Sequence, residues 1–133
     1  ANATLAVSLA AARAAADADF AAQASQADLI LTGEGHADAQ TLGGKVPHGV
    51  LQATATYQKP VYLLAGAVDN ADTLKAAGFA EVLAVTPPTT PLSEALQPEC
   101  AKVNLRRTAA RAVQAYIEKK NIKHNHTLNN DEV

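Results

Sequence analysis

Three short apolar runs, Asp28 to Thr32, Val61 to Ala65 and Glu81 to Thr86, constrain the fold of this chain most, because helix-forming or turn-forming residues follow each of them. Runs of strand length that are apolar throughout read as strands covered on both faces, which is the habit of parallel sheets. Strand-helix-strand alternation joins such strands through right-handed crossovers. The expected fold class is therefore α/β: a small three-layer parallel sheet of about three strands with flanking helices.

The intervening segments complete that reading. Ala3 to Ala22 is alanine-rich with Leu5, Val7, Leu9 and Phe20, and is expected to be helical. Pro47 suits a first helical turn, and the apolar spacing of Val50, Leu51, Ala53 and Tyr57 predicts a helix ending near Gln58, before the break at Lys59-Pro60. A helix over Ala71 to Ala77 has Asn70 as its expected N-cap and Gly78 as its stop. Ser93 is placed to cap a short turn, which Pro98 separates from a long helix near Ala101 to Lys120. Residues 1–120 thus read as one α/β lobe, and residues 121–133 as a flexible polar tail.

Composition removes several classes of function. A formal net charge of -2 and 4% aromatic residues leave no basic stripe with stacking rings, so no nucleic acid partner is expected. No uninterrupted apolar span reaches the ~20 residues of a membrane helix, so no membrane is expected either. The single cysteine, Cys100, has no internal disulfide partner, and no cationic start followed by an apolar core and cleavage site is seen, so a cytoplasmic location is expected.

The chemistry is concentrated behind the first strand, in Thr32-Gly33-Glu34-Gly35-His36-Ala37-Asp38-Ala39-Gln40-Thr41-Leu42-Gly43-Gly44-Lys45. In parallel sheets, loops at the carboxyl ends of strands meet ligands. Two phosphate loops fail on position. A P-loop needs Gly where Ala39 stands and Ser or Thr where Val46 stands, and a dinucleotide fingerprint starting at Gly33 needs a small residue where Asp38 stands. His36 and His48 without a third ligand do not make a zinc site.

The run resembles the glycerate kinase family with the signature T-G-E-G-R-x-D-x-Q-T-x-x-G-K-x-P. Thr32, Gly33, Glu34, Gly35, Asp38, Gln40, Thr41, Gly44, Lys45 and Pro47 match in order, with His36 in place of Arg. The flanking segments Ala27 to Leu31 and Lys59 to Gly66 are similar as well, and a weaker likeness extends from about Phe20 to Lys119. The resemblance implies a Rossmann-like lobe, the C-terminal portion of a larger two-domain enzyme. It also implies phosphorylation of glycerate by the parent enzyme, with ATP and Mg²⁺ as cofactors and 2-phosphoglycerate as the product. This chain would contribute part of the cleft and be inactive alone. The alternatives are a non-catalytic module binding a nucleotide or small anion, and a structural lobe needing a partner segment. Self-association, or association with a missing N-terminal portion, follows from a sheet left with an open edge.

Roles for the motif residues follow from what phosphoryl transfer needs. Lys45 before a helix start is a candidate for holding a phosphate or carboxylate together with the first backbone N–H groups. Glu34 and Asp38 are candidate Mg²⁺ ligands and bases, and Asp38 is preferred as the catalytic base or metal ligand; capping of the following turn is its competing structural job. His36, Gln40 and Thr41 are candidates for substrate or phosphate binding, with capping as Thr41's competing job. Gly33, Gly35 and Gly44 are expected to allow close backbone approach or positive φ at the substrate or phosphate site. Gly66 and Asp69, after the second strand, are further cleft candidates, as are Thr86, Thr89 and Thr90 after the third.

Overall fold

The computed structural model describes residues 5–8 and 18–131. Its four strands, β1 (Leu5–Ser8), β2 (Leu29–Ala37), β3 (Val61–Val68) and β4 (Glu81–Ala84), form one sheet in the order β1-β2-β3-β4. Every neighbouring pair is parallel, with Leu5 opposite Leu29, Ile30 opposite Val61, and Tyr62 opposite Glu81. Among the described residues the helices are α1 (Ala18–Gln26), α2 (Val46–Thr54), α3 (Ala71–Ala77), α4 (Leu92–Ala95) and α5 (Pro98–Asp131).

The three strands expected from sequence are present, and the sheet gains a fourth from a stretch read as helix. Residues 5–8 pair with β2 rather than continuing a helix from Ala3 to Ala22; helix is found from Ala18, and residues 9–17 lie outside the described residues. Alanine is the best helix former, but helix propensity is a weak determinant, and a ladder to a buried neighbour outweighs it. The Leu5 and Val7 spacing is the period-2 signal that the alanine content obscured.

Strict alternation sorts the sheet into two faces. Ile30, Val61, Leu63 and Ala65 pack with Ala24 of α1, Val50 of α2, and Leu74 and Phe79 at and after α3. Leu29, Leu31, Tyr62 and Leu64 face the other way, against Ala109, Ala112, Val113 and Tyr116 of α5. Tyr116 ties this face down: its hydroxyl donates to the Asp28 carbonyl at 3.1 Å, and its ring meets Tyr62 edge-on at 6.4 Å. The result is three layers, with helices α1 to α3 on one face and α5 on the other.

Several boundaries differ from expectation. β2 and β3 run on to Ala37 and Val68, so Glu34 and His36 stand in a strand and not in a loop. The predicted helix near Gln58 ends at Thr54, with a 3₁₀ turn over Ala55–Tyr57. Asn70 does occupy the N-cap of α3, in the left-handed region at φ 56°, but its side chain makes no capping bond. Ser93 lies inside α4, whose N-cap is Pro91. Pro98 opens α5 instead of preceding it, as a residue without an N–H does best in a first turn. α5 continues to Asp131, past the tail boundary at Asn121, although residues 121–127 are exposed. Among the described residues no helix is long and apolar enough to cross a membrane.

Candidate functional site at the carboxyl ends of the strands

The motif begins in β2, turns through a 3₁₀ segment over Ala39–Gly43 and ends at the start of α2. Thr41 is fully buried at the centre of that turn. Its hydroxyl donates to Glu34 Oε1 and accepts the Asp38 N–H at 3.1 Å, while Asp38 Oδ1 accepts the Gln40 N–H at 2.8 Å. These bonds make a reciprocal capping box between Asp38 and Thr41, so both perform the structural job that competed with their chemical one. The box spares Glu34 Oε2 and Asp38 Oδ2. One hydroxyl therefore fixes two carboxylate-bearing residues against each other.

His36 reaches across the strand ends to the residue after β3, where its Nε2 lies 2.7 Å from Asp69 Oδ2; Asp38 Oδ2 is 4.0 Å from the same nitrogen. A carboxylate only accepts, so Nε2 carries the proton in this pair, and Nδ1 is left for another partner. Glu34, His36, Asp38 and Asp69 are thus gathered along one rim at the ends of β2 and β3. Among the described residues, no group of three or more His, Cys, Asp or Glu side chains is arranged to hold a metal ion by itself.

Lys45 is exposed at the N-cap of α2, and its ammonium has no partner among the described residues. The helix start offers fewer donors than expected: Pro47 has no N–H, and the His48 N–H is bonded to the Lys45 carbonyl at 3.0 Å. Gly44 has φ 106° and takes the left-handed turn that brings the chain to Lys45, a conformation that disfavours any side chain.

Behind the rim, on the α5 side of the sheet, lies a cleft of about 1130 Å³. Its floor follows from strand periodicity. Leu29 and Leu31 fill the face under α5; the next positions on that face are Gly33 and Gly35, and on β3 Gly66 follows Tyr62 and Leu64. A Cβ at Gly33 would stand 2.7 Å from the Leu64 carbonyl oxygen, and one at Gly66 would stand 2.7 Å from that of Gly35. Close strand approach requires glycine at both. Gly35 has open space instead.

The cleft therefore unites Gly33, Glu34, Gly35, His36 and Gly66 with Thr86 and Thr90, all expected from sequence. It does not include Asp38, Gln40, Thr41, Gly44 or Lys45, which belong to the turn and helix on the α2 side, nor Asp69 or Thr89. Sequence reasoning missed its far wall, made by Leu92 of α4 and Leu96 just after it with Asn104 and Leu105 of α5. The signal was present in the pair of leucines four residues apart, at the start of a one-turn helix and at its C-cap, which leaves them 73% and 71% exposed.

Residues 3–117 match the Glycerate kinase family. Over 80 residues the chain is 36% identical to glycerate kinase of Bacillus subtilis (strain 168), covering 59% of this chain and 21% of that protein. Over 42 residues it is 45% identical to glycerate 2-kinase of Escherichia coli (strain K12), covering 32% of this chain and 11% of that protein. A solved structure from Salmonella typhimurium LT2, provisionally named glycerate kinase 2, aligns at 35% identity and TM-score 0.47, covering 74% of this chain and 25% of that one. The chain spans about a fifth of the length of the Bacillus relative. With the match running through both the motif and the sheet that presents it, the chain belongs to the glycerate kinase family.

Proposed function

We propose that this chain supplies the strand-end rim of a cytoplasmic enzyme that transfers the γ-phosphoryl group of ATP to glycerate, giving 2-phosphoglycerate, with Mg²⁺ as the metal. The observation that carries the reading is the convergence of Glu34, His36, Asp38 and Asp69 on one rim, inside the segment that matches the family.

The donor set fits Mg²⁺, which takes one or two protein carboxylates and completes its shell with phosphate and water oxygens. Glu34 would hold it through Oε2, the oxygen that the Thr41 hydroxyl leaves over, with phosphate and water oxygens completing the shell. When bound, the metal supplies charge neutralisation on the phosphate oxygens.

The protein groups divide the remaining work. Lys45 offers a permanent positive charge beside the α2 N-terminus, and the glycerate carboxylate is its natural partner. Gln40, exposed in the 3₁₀ segment, has an amide for a substrate hydroxyl. Asp38 Oδ2 takes the proton of the attacking hydroxyl as its oxygen bonds to the γ-phosphorus and the bond to ADP breaks; the Gln40 N–H on Oδ1 keeps that carboxylate oriented. His36, anchored by Asp69 through Nε2, donates from Nδ1 to a phosphate oxygen in its doubly protonated, charged form. A closed, water-poor cleft needs a second wall, so the isolated chain is expected to turn over little or not at all.

The test is a backbone NMR titration of the labelled chain with Mg-ATP and then glycerate, with ADP followed in the same sample. Saturable shifts from Gly33 to Lys45 that weaken when Mg²⁺ is chelated are expected. A folded spectrum with no response there, or a response centred elsewhere, would overturn the proposal.

A further inference from the structure

We infer that the cleft behind the rim is the seat of the nucleotide's purine base, which lies on the bare strand floor and is capped by α4 and α5. This inference rests on the kinase reading of the rim and adds to it the location and recognition of the base. Three properties of the cleft select a flat, uncharged ring over the small acid substrate. The first is charge: no Lys or Arg lines it, and its titratable residues, Glu34 and His36, stand at the rim end. A carboxylate placed inside would lose its hydration without gaining a counter-charge.

The second property is shape. At about 1130 Å³ the cleft has room for a nucleoside with its phosphates, whereas a three-carbon acid would leave most of it wet. Gly33, Gly35 and Gly66 expose peptide planes in place of side chains, so the floor is flat, and Leu92 and Leu96 stand over it. Two leucines this exposed are costly to keep in water, and a stacked ring covers them.

The third property is a buried amide. Asn104 is only 6% exposed, and it lines the apolar cleft. Its Oδ1 is committed to Arg107 Nη2 at 2.6 Å, which also fixes which end of the amide faces which way. Its Nδ2 has only the Cys100 sulfur at 3.5 Å, a weak acceptor. A ring nitrogen of a purine is a better acceptor for that N–H, and an isolated phosphate or acid has no reason to reach so deep. The base thus sits on the α5 side of the sheet while the phosphates cross the strand ends toward Glu34, His36 and the α2 start.

Adenosine, which has the base and no phosphate, and Mg-tripolyphosphate, which has phosphates and no base, separate this inference from the kinase reading. In NMR titrations of the full chain, adenosine is expected to shift the amides of Gly33, Gly35 and Gly66 and the Asn104 side-chain amide. Tripolyphosphate is expected to shift the rim and leave Asn104 alone. Gly35→Val fills open space on the floor and should weaken adenosine binding at least about tenfold. Leu96→Ser, at a position 71% exposed, should weaken it several-fold. Adenosine binding that is absent, or equally strong in a folded Gly35→Val or Leu96→Ser chain, overturns the base assignment; a rim that still answers tripolyphosphate would leave the kinase reading standing. Failure of the rim alone would remove the kinase reading instead.

Discussion

Replacing Thr41 by Val tests whether a single hydroxyl organises the rim. The side chain is fully buried, and Val keeps its shape while deleting the donor to Glu34 and the acceptor for the Asp38 N–H. A hydrogen bond to a charged group contributes about 1.5–3 kcal/mol, and losing a capping bond costs about 0.5–1 kcal/mol. The two losses share one atom and together give a destabilisation of about 2–4 kcal/mol. For a domain of this length each kcal/mol lowers Tm by roughly 3–5 °C, so a drop of roughly 6–20 °C is expected. Thr41→Ser keeps the hydroxyl and removes one methyl, at a cost of about 1 kcal/mol. Urea unfolding of both variants, with unchanged slopes confirming the same folded and unfolded states, gives the comparison. The reasoning fails if the Val chain is as stable as the Ser chain, because packing and not hydrogen bonding would then hold the turn.

Burial, with the nearby charge of Glu81 and the neighbouring Tyr116, holds the Tyr62 phenol above its ordinary value of 10.0. The folded state then keeps this proton longer than the unfolded state, so the stability it contributes is full below pH 10 and is lost as pH rises through the folded value. Melts between about pH 9 and 11 should show a steeper loss of stability in the natural chain than in Tyr62→Phe; equal slopes would contradict it. Gly66→Ala puts a Cβ 2.7 Å from the Gly35 carbonyl oxygen and should cost about 1–3 kcal/mol, whereas Gly35→Ala meets nothing and should stay within about 0.5 kcal/mol of the natural chain in urea unfolding.

The residues that were legible in the sequence are those whose role is local. Continuous apolar runs marked β2, β3 and β4, and Ala71–Ala77 with Gly78 gave α3 in full, because period and punctuation decide such elements. β1 escaped because its strand state depends on a neighbour 24 residues away, Leu29 opposite Leu5. The carboxyl half of β2 escaped for a related reason: Gly33-Glu34-Gly35-His36 reads as loop, but its ladder to Leu64, Ala65 and Ala67 keeps it extended. At the site, Glu34, His36 and Asp38 were visible by type, and the possibility that Asp38 caps its turn was visible by position. The His36–Asp69 pair joins residues 33 apart, and Asn104 belongs to a helix with no motif, so both needed the fold.

The most direct test of the account is a crystal structure of the chain with glycerate and the Mg²⁺ complex of a non-hydrolysable ATP analogue. The account predicts phosphates across the ends of β2 and β3, in contact with Glu34 and His36, with the base on Gly33, Gly35 and Gly66 and the acid toward Lys45. A nucleotide bound away from these strand ends, with the rim in contact with solvent alone, would contradict it.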